Sequence, residues 1–149
     1  SLGRKYTVAM VDIDHFKKIN DQFGHDIGDK AIVAAVGRCQ SYIKRSDIIG
    51  RVGGEEFLCV FPNTSQAEAM QIAERMRRAV ADQAFHFGEI TVAFTISLGV
   101  AVLDVAADID IDAQINEQWF SDLANKADLA MYRAKNQGRN QVQLYVECV

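Results

Sequence analysis

Apolar positions along the chain alternate between runs with a strand period and runs with a helix period. The helical pattern predicts amphipathic helices at 14–23, 29–45, 64–83 and 119–136. The β-branched and apolar runs predict strands at 6–13, 47–52, 56–61, 91–103 and 140–146, with a short additional strand at 85–87. The order β-α-α-β-β-α-β-α-β predicts an α/β (α+β sandwich) fold, a mostly antiparallel sheet with helices packed on it, of ferredoxin-like or palm type.

Polar and small residues mark where these elements begin and end. Asp14 is placed to cap the first helix, and GHDIGD at 24–29 reads as a glycine-broken connection to the second. Gly53 and Gly54 predict a tight hairpin turn between two strands. The acidic, weakly patterned segment 104–118 predicts a surface excursion. The apolar faces of the predicted helices carry Met70, Met76, Met131 and Tyr132, which are expected in the core.

Composition indicates one globular domain over 1–149, since nearly half of the residues are hydrophobic and there is a single proline. No apolar stretch reaches membrane-spanning length and the chain opens without a signal-type segment, so we expect a cytoplasmic domain. A membrane anchor upstream in a longer parent protein stays an open alternative.

Cys39, Cys59 and Cys148 lie far apart, which favours reduced thiols over disulfides or a zinc site. A net charge of −4 without a basic stripe argues against nucleic acid as a partner, while a small anionic ligand remains compatible.

Acidic residues cluster where neighbouring strands are expected to end. Asp12 and Asp14 close the first strand, and Glu55 and Glu56 open the third. Paired carboxylates repel unless a cation lies between them, and Mg²⁺ prefers such oxygen ligands. GGEE alone favours a surface hairpin with solvated glutamates, and spacing alone does not bring Asp12 and Glu55 together.

Basic and amide groups occur close to the acids in sequence. Phe16 and Lys17 lie in the first turn of the helix that follows Asp14, where backbone N–H groups lack partners and can face an anion. Lys135 and Arg139 flank a predicted helix end and could reach one phosphate chain. In isolation these two cations are more typical of an ordinary helix C-terminus.

Four segments in one order resemble the GGDEF family, the diguanylate cyclases. They are DIDHFKKINDQFGHDIGD (12–29), RVGGEEF (51–57), TISLGVA (95–101) and NKADLAMYRAKNQGRNQV (125–142). The resemblance implies a palm-like fold and the condensation of two GTP molecules to cyclic di-GMP with release of two pyrophosphates. Each of two facing domains would hold one GTP, so a transient or regulated homodimer is expected.

The resemblance also implies roles for the acids. Asp12, the carbonyl of Ile13 and Glu55 match the family's metal ligands, for Mg²⁺ with Mn²⁺ as an alternative. Glu55 would also help to deprotonate the attacking hydroxyl, and Glu56 would support the metal site.

Base and phosphate contacts follow from the same resemblance. Asn20 and Asp29 match the family's guanine-reading pair, with Ile32 packing near the ring, and a carboxylate can accept from both N–H donors of guanine. Gly53 and Gly54 would let the triphosphate approach the backbone. Phosphate contacts are expected from Phe16, Lys17, Lys135 and Arg139.

Two features depart from the family pattern. Lys44 stands where many members carry the arginine of an RxxD inhibitory site that ends here at Asp47, and lysine lacks the planar fork of arginine. We therefore expect weak or absent product inhibition. The family's usual N-terminal helix and its following segment do not match either, which suggests a piece of a longer protein with an upstream sensor domain.

Two alternatives to the cyclase hypothesis are open. One is a catalytically silent module that binds GTP or cyclic di-GMP, and the other is a different palm-type nucleotidyl transferase or cyclase. The Asp residues at 108–117 resemble a calcium loop, but Ala113 and Trp119 replace the glycine and glutamate that such a loop needs, so a solvated acidic loop is expected there.

Overall fold

The computed structural model describes residues 4–105 and 117–146. Within these ranges the chain forms seven strands and four helices. In chain order they are β1 (Arg4–Ile13), α1 (Phe16–Phe23), α2 (His25–Gln40), β2 (Ile48–Gly53), β3 (Glu56–Pro62), α3 (Gln66–Ala81), β4 (Phe85–Phe87), β5 (Ile90–Val92), β6 (Ile96–Val105), α4 (Glu117–Asn136) and β7 (Val142–Leu144).

A five-stranded sheet in the order β2-β3-β1-β6-β7 forms the centre of the described structure. β1 lies in the middle and pairs antiparallel with both β3 and β6, whereas β7 pairs parallel to β6 at one edge. β4 and β5 form a separate two-stranded hairpin. The predicted α+β sandwich with a mostly antiparallel sheet is confirmed.

Alternation along β1 divides the core between the two faces of the sheet. Ala9, Val11 and Ile13 belong to a cluster that includes residues of α1, α2 and α3. Val8 and Met10 belong to a second cluster with residues of α4. Helices therefore cover both faces, and the loops at the C-terminal end of β1 lie beside the start of α1.

The first two helices differ from the sequence prediction. Asp14 does not cap α1, because His15 occupies the N-cap position at φ 54° without a side-chain cap, and the Asp14 carboxylate bonds elsewhere. Gly24 at φ 93° separates the helices, but α2 begins directly at His25 and contains Gly28. It ends at Gln40 rather than at 45.

Two other boundaries also differ. The single strand expected over 91–103 is divided, since β5 pairs with β4 and β6 begins only at Ile96. α3 starts at Gln66, where the Ser65 hydroxyl accepts a hydrogen bond from the Glu68 amide. Of the predicted acidic excursion, 106–116 lie outside the described residues, as does most of the calcium-like segment 108–117.

The core predictions hold with one exception. Met76 and Met131 are buried and Met70 is partly buried against the core, but Tyr132 is 63% exposed, so its assignment to the core is wrong. Cys39 and Cys59 are free and buried, and burial raises the pKa of Cys39 to about 12. Cys148 lies outside the described residues. None of the helices in the described ranges is long and apolar enough to cross a membrane.

Candidate active site at the end of the central strand

Asp12 is a nearly buried carboxylate at the end of β1. It is 2% exposed and lies between β3 and β6, opposite Glu56 on one side and Ser97 on the other. The Lys135 ammonium, from the last turn of α4, forms an ion pair and a hydrogen bond with Asp12 Oδ2. Residues far apart in sequence are thus joined at this edge of the sheet.

The pKa of Asp12 reflects its surroundings. Burial raises it from 3.8 to about 7, the hydrogen bond and positive charge of Lys135 oppose the rise, and the charges of Glu55 and Glu56 add to it. A site that destabilises the charged form of an acid this strongly favours a cation beside it.

The hairpin turn after β2 presents Glu55 and Glu56 to the same region. Gly54 has φ 49°, a left-handed conformation that favours glycine, and its carbonyl accepts a 2.7 Å hydrogen bond from Arg51 Nε. A Cβ placed on Gly53 or Gly54 would have no neighbour within 4 Å. The backbone of this turn is therefore open to approach by another molecule.

Asp14 has a different role from the one expected. It is 3% exposed, and its carboxylate accepts hydrogen bonds from the hydroxyls of Thr95 at 2.7 Å and Ser97 at 2.6 Å. It also accepts from the backbone N–H of Asn140 at 3.0 Å. Asp14 thus joins the ends of β1 and β6 to the loop after α4, a role that its position next to Asp12 did not indicate.

The loop after α4 carries Arg139 and is held at two points. Arg139 and Asn140 both have left-handed backbone angles, at φ 64° and 49°. Besides the bond to Asp14, the Asn140 side chain accepts a 2.8 Å hydrogen bond from Arg77 of α3, and Arg77 pairs with Glu74. This places an exposed arginine on a fixed backbone, close in sequence to Lys135.

Asn20 and Asp29 lie on the two helices that follow β1. Asn20 is half-buried on α1, and its Oδ1 atom is buried without a hydrogen-bond partner in the described structure. Asp29 on α2 is exposed and directly follows Gly28, against which the Asn20 amide lies. Ile32, one turn further on, is only 2% exposed, so most of its surface is covered by the core.

Phe16 and Lys17 form the first turn of α1, directly after the Asp14 network. Phe16 is half-buried and packs against the core, while Lys17 is exposed. The position predicted for an anion at this helix start is therefore accessible to a ligand.

Lys44 and Asp47 lie in a turn and not on a helix, because α2 ends before them. The Lys44 backbone N–H donates to Asp47 Oδ2 at 2.7 Å, and Lys44 Nζ lies 3.8 Å from Glu68 Oε2. The other oxygen of Asp47 is buried without a partner. The helix predicted over 29–45 therefore ends before this turn.

The structure brings Asp12, Glu55, Glu56 and Lys135 into one electrostatic group, as the influence of each on Asp12 shows. In the described residues, no three His, Cys, Asp or Glu side chains are grouped to hold a metal ion. The predicted metal ligands require only two carboxylates and the Ile13 carbonyl. Sequence reasoning missed Thr95, Ser97, Asn140 and Gly28, and it assigned Asp14 to helix capping. The two hydroxyl residues on either side of Ile96, Thr95 and Ser97, were the sequence feature that could have indicated these contacts.

Comparison with known proteins agrees with the motifs. Residues 2–141 match the family model described as "Diguanylate cyclase, GGDEF domain". The chain is 37% identical over 142 residues to diguanylate cyclase DgcP of Pseudomonas aeruginosa, covering 95% of this chain and 20% of that protein. It is 38% identical over 141 residues to the response regulator PleD of Caulobacter vibrioides, covering 94% of this chain and 29% of PleD.

A solved structure is also similar to this chain in fold. The active GGEEF domain of a diguanylate cyclase from Vibrio cholerae superposes with a TM-score of 0.81 at 36% identity, covering 97% of this chain and 85% of that chain. The chain thus spans a fifth to under a third of the two curated relatives but most of the solved domain. With the family model matching nearly the whole sequence, the chain belongs to the GGDEF family of diguanylate cyclase domains.

Proposed function

We propose that this chain is a catalytic domain that condenses two GTP molecules into cyclic di-GMP and two pyrophosphates. The observation that carries the proposal is Asp12, a buried carboxylate flanked by Glu55 and Glu56 and balanced by Lys135. A buried carboxylate whose pKa is raised to about 7 is typical of a functional site and not of a solvated surface hairpin.

The residues present fit a divalent cation. Asp12 and Glu55 supply carboxylate oxygens and Ile13 supplies a carbonyl, which are hard ligands of the kind that Mg²⁺ prefers, with Mn²⁺ as an alternative. The position beside Asp12 already takes a positive charge, that of Lys135. When bound, the cation supplies neutralisation of the charge on the triphosphate.

The phosphate chain would lie between the hairpin turn and the loops at the ends of α1 and α4. The open backbone at Gly53 and Gly54 admits it, and the first-turn N–H groups at Phe16 and Lys17 face it. Lys135 and Arg139 contribute positive charge from the opposite side. Lys135 would exchange its bond to Asp12 for one to a phosphate.

The base would lie between α1 and α2. Asp29 accepts from N1–H and the exocyclic amine of guanine, and Asn20 completes the edge with its amide, whose hydrogen bonding is incomplete in the structure. Adenine lacks that pair of donors, so ATP would leave Asp29 unpaired. Ile32 supports this region from the core.

In the reaction each 3′-hydroxyl oxygen forms a bond to the α-phosphorus of the GTP held by the facing domain. The bond from that phosphorus to the oxygen bridging to the β-phosphate breaks, and pyrophosphate leaves. Glu55 accepts the hydroxyl proton, and Glu56 supports the acid cluster. A homodimer follows from the chemistry, because one domain holds one nucleotide and two are joined.

A silent GTP-binding or cyclic di-GMP-binding module is the second candidate. The intact GGEEF sequence at 53–57 speaks against it. The two are separated by whether the wild type makes cyclic di-GMP. Glu55→Gln, which removes the proton acceptor while keeping the shape of the side chain, tests the role of Glu55.

The test is incubation of the chain with GTP and Mg²⁺, followed by chromatography for cyclic di-GMP. We expect product from the wild type and from Glu89→Gln, an exposed matched control between β4 and β5, and none from Glu55→Gln. Glu55→Gln should still bind GTP. Product formation that survives Glu55→Gln would overturn the assignment of Glu55, and a wild type that binds GTP but makes no product, even when two copies are fused through a dimerising helix, would favour the silent module.

A further inference from the structure

Gly28 lies inside α2 where a glycine is unfavourable for the helix. Glycine costs a helix interior stability relative to alanine, so a glycine there calls for a reason. The usual reason, a left-handed backbone, does not hold, because the positive-φ glycines in the described residues are Gly24, Gly54, Gly88 and Gly138. The reason that remains for a glycine at position 28 is that it has no side chain.

The space beside Gly28 is filled by Asn20. A Cβ built on Gly28 would lie 1.8 Å from Asn20 Oδ1, a distance that real Cβ atoms essentially never show, and 3.0 Å from Asn20 Cγ, which is tighter than most real contacts. It would also lie 3.2 Å from the tip of the Phe16 ring. The carboxamide of Asn20 therefore rests directly on the backbone of α2 and can do so only over a glycine.

The second glycine of α2 shows the contrast. A Cβ built on Gly37 would meet nothing within 4 Å, and the residue is exposed. Both glycines weaken the same helix, but only Gly28 has a neighbour that needs its bare backbone.

We infer that Gly28 is a positioning residue that holds the Asn20 amide in the pose that reads guanine. The inference rests on the proposed function, because it assumes that Asn20 and Asp29 bind the base. Gly28 immediately precedes Asp29, so one turn of α2 fixes the Asn20 amide and carries the carboxylate. A side chain at position 28 would swing the flexible end of Asn20 away while the fold remains intact.

The probe for the test is 3′-deoxy-GTP, which lacks the attacking hydroxyl and so reports binding without turnover. Its dissociation constant is measured by calorimetry with Mg²⁺ for the wild type, Gly28→Ala, Gly37→Ala, Asn20→Ala and the double variant Asn20→Ala/Gly28→Ala. Gly28→Ala is expected to weaken binding about tenfold, the scale of one displaced hydrogen-bonding group. Gly37→Ala is the matched control and should bind as the wild type does.

Two further results separate positioning from damage to the fold. The double variant should bind no more weakly than Asn20→Ala, because alanine at position 20 leaves no side chain to displace. The ratio of the dissociation constants for 3′-deoxy-ATP and 3′-deoxy-GTP should be smaller in Gly28→Ala than in the wild type. The thermal unfolding midpoint of Gly28→Ala should stay at or above that of the wild type, because alanine favours the helix.

The role of Gly28 would be overturned if Gly28→Ala bound 3′-deoxy-GTP as the wild type does. It would also be overturned if the loss of affinity in the double variant equalled the sum of the losses in the two single variants. Either result would leave the proposed function standing. A wild type that does not bind 3′-deoxy-GTP would overturn the proposed function, and the inference with it.

Discussion

Asp12 shows how a single residue can be costly for the fold and still be required by a site. Burial at the end of β1 raises its pKa to about 7, although Lys135 is bonded to it. An ordinary surface carboxylate has neither a raised pKa nor a buried ion pair, so its charge does not destabilise the folded state.

The stability of the metal-free protein should depend on pH through this residue. Between the usual pKa of 3.8 and the raised value of about 7, the folded state binds more protons than the unfolded state, so the free energy of unfolding falls as pH rises. Asp12→Asn removes that slope. Its stability relative to the wild type should therefore increase from pH 5 to pH 8, by on the order of 1–4 kcal/mol.

Urea unfolding in the presence of a chelator measures this difference. A stability difference that stays constant with pH, or shrinks as pH rises, would contradict it. Mg²⁺ should stabilise the wild type at pH 8 but not Asp12→Asn, because binding requires the charged carboxylate.

At the residue scale, the acidic residues of the site could be predicted from the sequence, but the residues that bond to them could not. Asp12 and the GGEEF glutamates were candidates because they lie at predicted strand ends, and their roles came from the resemblance to the GGDEF family. The Lys135–Asp12 pair spans 123 positions and depends on how α4 packs over β1, which no local pattern encodes. Asp14 was misread as a cap because a short-range role was available, whereas its hydroxyl and amide partners lie 81 to 126 positions away.

Helix α4 illustrates what fixes an element in place. Gly99 of β6 lies directly beneath it, and a Cβ there would lie 2.1 Å from the Ala127 carbonyl oxygen and 2.1 Å from the Met131 backbone nitrogen. These are backbone atoms, so a side chain could be accommodated only by moving the helix that carries Lys135.

Gly99→Ala should therefore destabilise the fold by roughly 2–4 kcal/mol. Gly50→Ala, in edge strand β2 where a Cβ would have no neighbour within 4 Å, is the matched control and should change stability by less than about 0.5 kcal/mol. Urea denaturation of both variants measures the difference, and equal midpoints would refute the close packing of α4 on β6.

At the element scale the strands and helices were largely predictable and their ends were not. The β2–β3 hairpin followed from two glycines between apolar runs. The division of 91–103 into β5 and β6 was hidden, because its apolar residues continue through the break and only pairing with β4 separates them. Tyr132 was misplaced because a helix that covers a sheet buries a narrower stripe than its apolar residues suggested.

For the whole molecule, we propose that any control by the product would act through the turn at Lys44 and Asp47. Lys44 contacts Glu68 as a point charge and lacks the fork with which arginine binds phosphate or guanine bidentately. Lys44→Arg should strengthen binding of cyclic di-GMP about tenfold. Calorimetry with the isolated chain measures this, and nanomolar binding by the wild type that is lost in Asp47→Ala would contradict the expected weakness of the site.

Two copies of the chain are proposed to act together on two GTP molecules. The most direct measurement is the initial rate of cyclic di-GMP formation from GTP and Mg²⁺ at increasing protein concentration, with pyrophosphate counted in parallel. We predict a rate that rises with the square of the protein concentration at low occupancy of the dimer, two pyrophosphates for each product, and no product from Glu55→Gln. Absence of cyclic di-GMP at every concentration, and from two copies fused through a dimerising helix, would contradict the account.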